Sequence, residues 1–270
     1  MDYRKLALFT DLDGTLFDSN CCVSPETRSA LTRFQEGGGL FAISTGRAPL
    51  NALDLLPGIT TNTWSVVLNG AEAYQFSNGC VAFPHVISKI SIAPFLSWVL
   101  EKIPEINVVL YTEGSLFFLT PMEQADAHFV RTHQPAVFGS MDETMVHPWL
   151  KLLLYAPRPV LEKLEDVAQQ WGIFEVVDRV YTSPNFLEFL PKNVHKGRCL
   201  HDLRSLEELQ DRTIVAVGDW SNDLELLEEA DIPVAVGNAL PEVKAKAKII
   251  LPSNDEHPIA HLINNVFPTL

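Results

Sequence analysis

Five short runs of apolar residues near the two ends of the chain lack the alternation that is typical of a half-buried strand. Continuous apolar runs of this length are typical of strands that are buried on both faces of a parallel sheet. The predicted strands are Leu6–Thr10, Leu40–Ile43, Ser65–Leu68, Thr213–Val217 and Val234–Val236. Helix signals lie between them: Ser24 followed by Pro25 predicts a helix start, and Gly37 predicts its end.

The segment between residues 84 and 190 has a different pattern, in which neighbouring strands alternate with helices. Helical spacing of apolar residues predicts helices at 87–102, 122–132 and 158–172. The predicted strands are Val108–Tyr111, Leu116–Leu119, Leu150–Tyr155, Glu175–Tyr181 and Phe186–Leu190. Neighbouring strands joined by short turns favour an antiparallel sheet, so this segment is predicted to be an α+β unit.

The two patterns together predict an α/β fold with an inserted domain. Residues 1–83 and 191–270 would form a doubly wound, Rossmann-like core around a parallel sheet, with further helices at Ser221–Glu229 and Glu256–Val266. Residues 84–190 would form a smaller α+β domain inserted between the two halves of the core. A chain of 270 residues is long enough for two domains of ordinary size.

The net charge of −14 and the sequence pI near 4.9 exclude some classes of partner. Nucleic acids and anionic membrane surfaces are bound through cationic patches, which an acidic chain disfavours. A small anionic substrate stays compatible with this composition, because a few local cations or a metal ion reverse the field inside one cleft. A monomer and a small homo-oligomer are equally compatible with the sequence.

Cysteine usage and hydropathy predict a cytoplasmic protein. The four cysteines are Cys21, Cys22, Cys80 and Cys199. Neither their number nor their spacing is typical of a disulfide framework or a zinc site. The first apolar run stops at Asp11, which is too early for a signal peptide, and the run from Ile90 to Leu100 is too short to cross a bilayer.

The strongest chemical signal is Asp11-Leu12-Asp13-Gly14-Thr15, directly after the first predicted strand. In an extended backbone Asp11 and Asp13 point to the same side. Two carboxylates so close repel each other unless a cation or a shared proton relieves them. Gly14 leaves room for a ligand to approach the backbone. The alternative is a solvated acidic turn, but such turns rarely follow a buried strand at this spacing.

A second acidic segment, Gly218–Asp223, also follows a predicted buried strand. Asp219 would lie at the end of that strand, with Asn222 and Asp223 in the first turn of the next helix. Acidic residues also favour the N-terminus of an ordinary helix through its dipole. This segment alone therefore fits both a ligand-binding site and an ordinary helix N-terminus.

Thr45-Gly46 and Lys196 are weak signals when each is taken alone, but the predicted fold connects them with the acidic segments. In an open parallel sheet ligands bind outside the carboxyl ends of the strands, where Asp11, Thr45 and Asp219 would meet. Carboxylates and oxygen-donor turns suit Mg²⁺ together with a substrate phosphate. Lys196 would offset the excess of negative charge. The combination predicts phosphoryl transfer.

Taken in order, these segments resemble the four motifs of the haloacid dehalogenase-like (HAD) phosphatases. The motifs are DLDGT at 11–15, STGR at 44–47, HKG at 195–197 and GDWSND at 218–223. The turn at 68–71 and the segments at 237–239 and 253–256 resemble the Cof-type branch, subfamily IIB. The resemblance implies that the inserted domain is a C2-type cap that closes over the site and selects the leaving group.

The resemblance also implies a role for each matching residue. Asp11 would attack phosphorus to form an aspartyl-phosphate, and Asp13 would protonate the leaving oxygen and then activate water. Mg²⁺ would be held by Asp11, the backbone carbonyl of Asp13, Asp219 and Asp223, the last directly or through water. The phosphate oxygens would be bound by Thr45, Gly46, Arg47, Lys196 and Asn222.

The function that follows from the resemblance is Mg²⁺-dependent hydrolysis of a small phosphorylated metabolite such as a sugar phosphate. Two alternatives stay open. A phosphotransferase or phosphomutase would return the phosphoryl group to a sugar, and a catalytically silent module would only bind a phosphometabolite. Trp220 and His257-Pro258 depart from the family pattern, but neither is a predicted catalytic position.

Overall fold

The structure is a computed structural model that describes residues 2–120 and 136–270. Its strands, in chain order, are Leu6–Thr10 (β1), Leu40–Ile43 (β2), Ser65–Val67 (β3), Glu72–Gln75 (β4), Cys80–Ala82 (β5), Asn107–Thr112 (β6), Ser115–Phe118 (β7), Ala136–Phe138 (β8), Trp149–Tyr155 (β9), Val177–Ser183 (β10), Phe186–Pro191 (β11), Thr213–Gly218 (β12), Ile232–Ala235 (β13) and Ile249–Ile250 (β14). Its α-helices are Pro25–Glu36 (α1), Pro49–Asp54 (α2), Lys89–Lys102 (α3), Met141–Thr144 (α4), Arg158–Gln170 (α5), Lys196–Leu203 (α6), Glu207–Gln210 (α7), Leu224–Glu229 (α8), Pro241–Lys246 (α9) and Pro258–His261 (α10).

The chain divides into two compact units, Met1–Phe83 with His195–Leu270, and Pro84–Val194. The first unit contains a five-stranded parallel sheet in the order β14-β13-β12-β1-β2. A second sheet, β3-β4-β5, is antiparallel and is linked to the first by a parallel bridge between Ser44 and Val66. The predicted α/β class with a parallel-sheet core is confirmed.

Alternate residues of the interior strand β1 enter two apolar cores on opposite faces of the sheet. Leu8 packs in one core with Phe34 of α1. Phe9 packs in the other with Leu200 of α6. Because side chains alternate along a strand, both faces of β1 are covered, which explains why its sequence is continuously apolar.

The second unit is built on a six-stranded sheet in the order β10-β11-β9-β6-β7-β8. Its strand pairs are antiparallel, apart from the parallel pair β7 and β8. Phe95 of α3 and Leu164 of α5 share one apolar core with Leu152 of β9. The unit therefore has the α+β character predicted from its sequence. The helix predicted at 122–132 lies outside the described residues.

Two predicted helix starts are wrong for identifiable reasons. The helix expected from Ser221 begins as a 3₁₀ turn, Ser221–Asp223, before α8. The last helix was expected from Glu256, but His257 has a left-handed backbone with φ of 55°, so α10 begins after it. None of the helices within the described residues combines the length and apolarity needed to cross a membrane.

Candidate active site

Asp11 and Asp219 lie at the carboxyl ends of neighbouring strands. Asp11 follows β1, and its N–H donates to the carbonyl of Val217 in β12 at 2.9 Å. Asp219 follows β12 directly, and the Asp223 carboxylate accepts its N–H at 3.0 Å. Carboxylate oxygens of Asp11, Asp219 and Asp223 lie within 4.8 Å of one another. The parallel sheet thus brings two distant sequence motifs together.

Lys196 is the cation in contact with this cluster. Its Nζ lies 2.7 Å from Oδ1 of Asp11 and 2.7 Å from Oδ1 of Asp223. The exposed fraction is 6% for Asp11, 7% for Asp219, 0% for Asp223 and 1% for Lys196. Three buried carboxylates and one ammonium carry a formal charge of about −2 when all are ionised, and such an excess is unfavourable unless something balances it.

Burial and mutual repulsion shift the pKa values within the cluster. Burial raises the pKa of Asp11 well above its ordinary range, although Lys196 opposes this shift. Burial and the neighbouring Asp223 raise the pKa of Asp219 to about 7. Burial alone would lower the pKa of Lys196, but Asp11 and Asp223 more than compensate and raise it. These shifts favour the charged form of the lysine and disfavour the simultaneous ionisation of Asp11 and Asp219.

The cluster fits a divalent cation of the hard, oxygen-binding class. Carboxylate oxygens are the ligands that Mg²⁺ prefers, and its charge equals the formal excess. Thr15 Oγ1 donates to Oδ1 of Asp219 at 2.7 Å and so orients this carboxylate. Gly14 has a φ of 80°, and a Cβ there would lie 2.6 Å from Oδ2 of Asp219. Glycine is therefore required where the loop packs on this carboxylate.

The side chain of Asp13 lies outside this cluster and pairs with Arg47. The extended backbone expected from Asp11 to Asp13 ends at Asp11, because Leu12–Leu16 forms a tight turn. Nε and Nη2 of Arg47 donate to the two carboxylate oxygens of Asp13 at 2.7 and 2.6 Å. The Asp13 side chain is 49% exposed, in contrast to the buried Asp11. The two aspartates of the first motif thus occupy different environments.

The residues predicted to bind phosphate meet at the turn Leu68–Gly70. The N–H of Asn69 donates to the carbonyl of Thr45 at 3.0 Å. Its side-chain Oδ1 accepts a bond from Nδ2 of Asn222 at 3.0 Å. A Cβ on Gly46 would lie 2.9 Å from Nδ2 of Asn69. Asn69 therefore joins the second motif to the fourth.

The same turn also approaches the third motif. Gly70 has a φ of 97°, and a Cβ there would lie 2.2 Å from the carbonyl oxygen of His195, next to Lys196. Leu68 and Asn69 also have left-handed backbones, with φ of 52° and 55°. Sequence reasoning gave this turn no role, although an Asn-Gly pair directly after a strand signals an unusual backbone.

A late segment of the chain supports the loop that carries the first motif. Asn238 Nδ2 donates to the carbonyl of Gly14 at 2.8 Å. Oδ1 of Asn238 accepts the N–H of Asn254 at 2.9 Å, and Nδ2 of Asn254 donates to the carbonyl of Phe17 at 3.0 Å. These bonds give the segments at 237–239 and 253–256 a structural role near Asp13.

Comparison with known proteins agrees with this geometry. Residues 8–263 match the family model of haloacid dehalogenase-like hydrolases. The chain belongs to this family. The family and the enzyme class predicted from the sequence are confirmed.

Similar proteins extend over nearly the full length of this HAD-like hydrolase. It is 26% identical over 280 residues to phosphatase YwpJ of Bacillus subtilis, covering 95% of this chain and 98% of that protein. It is 23% identical to the 5-amino-6-(5-phospho-D-ribitylamino)uracil phosphatase YwtE of the same organism, covering 95% of this chain and 96% of that protein. A solved HAD-like hydrolase from B. subtilis is 25% identical and has a TM-score of 0.81, covering 96% of this chain and 99% of that one.

Proposed function

We propose that this hydrolase is a Mg²⁺-dependent phosphomonoesterase that acts on a small phosphorylated metabolite, such as a sugar phosphate, through an aspartyl-phosphate on Asp11. The observation that carries the proposal is the buried cluster of Asp11, Asp219 and Asp223 with Lys196, whose excess negative charge suits a divalent cation. Similarity to proteins named phosphatases supports it, including one named for a phospho-D-ribitylamino substrate.

Asp11 and Asp13 divide the chemistry between them. In the first step a carboxylate oxygen of Asp11 attacks phosphorus, and the bond from phosphorus to the leaving oxygen breaks. Protonated Asp13 gives its proton to that oxygen, so the product leaves as a neutral alcohol. In the second step Asp13 takes a proton from water, the water oxygen attacks phosphorus, and inorganic phosphate and the Asp11 carboxylate are released. The partial exposure of Asp13 suits its exchange of protons with alcohol and water.

Bound Mg²⁺ would supply positive charge against the phosphate oxygens. The side chains of Asp11, Asp219 and Asp223 and the backbone carbonyl of Asp13 would hold it. The Asp13 side chain is turned toward Arg47 and lies outside the cluster of Asp11, Asp219 and Asp223, so its backbone carbonyl would be the group that this residue offers to the metal ion.

The remaining predicted residues would hold the phosphate oxygens. The Thr45 hydroxyl, the Gly46 N–H and the side-chain amide of Asn222 would bind them. The contacts of Asn69 with the Thr45 carbonyl and with Nδ2 of Asn222 support this grouping. Lys196 would offset negative charge next to Asp11. Arg47 uses three of its N–H groups in bonds to side chains of this chain, and a guanidinium carries five. Within the part of the chain that the structure describes, two N–H groups therefore stay available for a phosphate oxygen.

Hydrolysis of 4-nitrophenyl phosphate by metal-stripped protein, with and without added Mg²⁺, tests the proposal. The wild type should be active only when Mg²⁺ is added. Asp11→Asn should lower the rate at least about 10³-fold, because it removes the nucleophile. Asp211→Asn, at an exposed position after α7, is the matched control and should match the wild type. Unchanged turnover in Asp11→Asn would refute the assignment.

Single-turnover reactions with phosphate-labelled sugar phosphates separate the remaining alternatives. Release of labelled inorganic phosphate supports hydrolysis. An isomerised sugar phosphate would identify a phosphomutase instead. Saturable binding without any turnover, in the presence of Mg²⁺, would identify a silent binding module.

A further inference from the structure

Asn51 lies next to the pair formed by Arg47 and Asp13. Helix α2 begins at Pro49 and places Asn51 in its first turn, where 5% of the residue is exposed. Nη1 of Arg47 donates to Oδ1 of Asn51 at 2.7 Å. The other edge of the same guanidinium holds both carboxylate oxygens of Asp13. Because a guanidinium is planar and rigid, the position of Asn51 is transmitted to the plane of the Asp13 carboxylate.

The Asp13 carboxyl group needs such a support. It is half exposed and follows the buried Leu12 in a tight turn, so the fold does not enclose it. Among the described residues, the hydrogen bonds of the Asp13 side chain come from Arg47. The direction in which Asp13 presents its proton is thus set by the guanidinium.

The guanidinium in turn needs an anchor that the fold itself holds in place. The Asp13 side chain is half exposed and does not supply one. A long arginine side chain without a fixed partner keeps its rotamer freedom. The buried Asn51 accepts from Nη1 at 2.7 Å and fixes the guanidinium on the edge opposite to Asp13. The backbone of Arg47 is fixed separately, through its N–H to Oγ1 of Thr45 at 3.1 Å.

We propose that Asn51 is a positioning residue for proton transfer to the leaving group, and that it acts through Arg47 on Asp13. The inference rests on the proposed phosphomonoesterase function. It concerns a residue outside the four motifs, and it assigns Arg47 a second role beside phosphate binding.

A series of aryl phosphates tests this inference. Phenyl phosphate needs a proton on its leaving oxygen, whereas 4-nitrophenol departs readily as the anion. Asn51→Leu removes the acceptor and keeps the number and branching of the side-chain heavy atoms. We expect kcat/KM to fall about tenfold more for phenyl phosphate than for 4-nitrophenyl phosphate, within the range that general acid catalysis contributes. An equal fall for both substrates would overturn the inference, because a merely structural defect does not depend on the leaving group.

Two further variants sharpen the test. Asn51→Asp keeps an acceptor oxygen beside Nη1 and should restore the wild-type ratio of the two substrates. In an Arg47→Met background, Asn51→Leu should leave that ratio unchanged, because residues that act through one another are not additive. A different ratio in either variant would contradict the route through Arg47.

A matched control separates this effect from general damage. Asn62 is another asparagine of the first unit, exposed where Asn51 is buried, and its side chain bonds to the N–H of Phe41 and the carbonyl of Gly39. Asn62→Leu should lower the melting temperature without changing the substrate ratio. If Asn51→Leu does not fold, Asn51→Ala carries the same expectation. A wild type without activity on either substrate would refute the proposed function itself, which is a distinct outcome.

Discussion

Each unit of the molecule contains a buried lysine in contact with buried carboxylate side chains, but the number of carboxylates beside the lysine differs. In the second unit Lys151 of β9 lies 2.9 Å from Glu188 of β11, and 2% and 6% of the two side chains are exposed. In the first unit Lys196 serves a cluster of three buried carboxylates. Both lysines are buried equally well, so burial alone does not distinguish the two places.

The charge balance does distinguish them. The described contacts of Lys151 and Glu188 join one positive to one negative charge. Thr182 Oγ1 adds a bond to Glu188 at 3.2 Å, and the Tyr111 ring lies 4.3 Å from Nζ of Lys151. Within residues 2–120 and 136–270 this ion pair is balanced, which suits a structural role. The cluster at Lys196 has an excess of negative charge within the same residues, and this excess supports the proposed cation site.

Replacing each lysine by methionine should separate the two regions most strongly. Lys196→Met removes the cation beside Asp11 and should lower kcat/KM for 4-nitrophenyl phosphate about 10⁴-fold, as for other members of a catalytic unit. Lys151→Met makes the same change in the second unit and should keep most of the activity below its melting temperature. Comparable losses of kcat/KM in the two variants would mean that the charge balance around a buried lysine does not distinguish the active site.

The ion pair of Lys151 and Glu188 should contribute to the stability of the second unit and not to activity. Lys151→Met leaves Glu188 buried without its cation, which should lower the free energy of unfolding by about 3 to 5 kcal/mol. The double variant Lys151→Met with Glu188→Gln removes the unpaired charge and should recover part of this loss. Urea unfolding of the wild type, Lys151→Met and the double variant measures both the loss of unfolding free energy and its recovery. A double variant less stable than Lys151→Met would contradict the structural role.

Thr15→Val should have the smallest effect on activity, and it tests whether the hydrogen bond to Asp219 contributes to metal affinity. It removes the hydrogen bond to Asp219 and keeps the shape of the side chain. The Mg²⁺ concentration for half-maximal activity should rise about tenfold, because bonds to ligand groups tune metal affinity. Activity at saturating Mg²⁺ should stay near that of the wild type. Thr27→Val, a buried threonine of α1, is the control and should not shift the metal dependence.

The sequence predicts where the site is formed, because that information is local. Continuous apolar runs, typical of buried strands, precede Asp11, Thr45 and Asp219. The carboxyl ends of parallel strands lie at one edge of the sheet, so these residues are predicted to meet there. The predicted core and α+β unit follow from the same patterns. The strands β4, β5, β8 and β14 were not predicted, since each is at most four residues long.

The arrangement inside the site depends on contacts that no local pattern records. The spacing of Asp11 and Asp13 indicates two neighbouring carboxylates, but the tight turn sends one to Lys196 and the other to Arg47. The bond from Arg47 to Asn51 is set by the start of α2, which sequence reasoning did not predict. The position of Asn69 likewise depends on a left-handed backbone.

Calorimetric titration of metal-free protein with Mg²⁺ measures whether the cluster with excess negative charge at Lys196 binds a cation. We expect saturable binding at a single site in the wild type and in Glu188→Gln, and strongly weakened binding in Asp219→Asn. Absence of saturable binding to the wild type, or binding that Asp219→Asn leaves unchanged, would contradict this expectation.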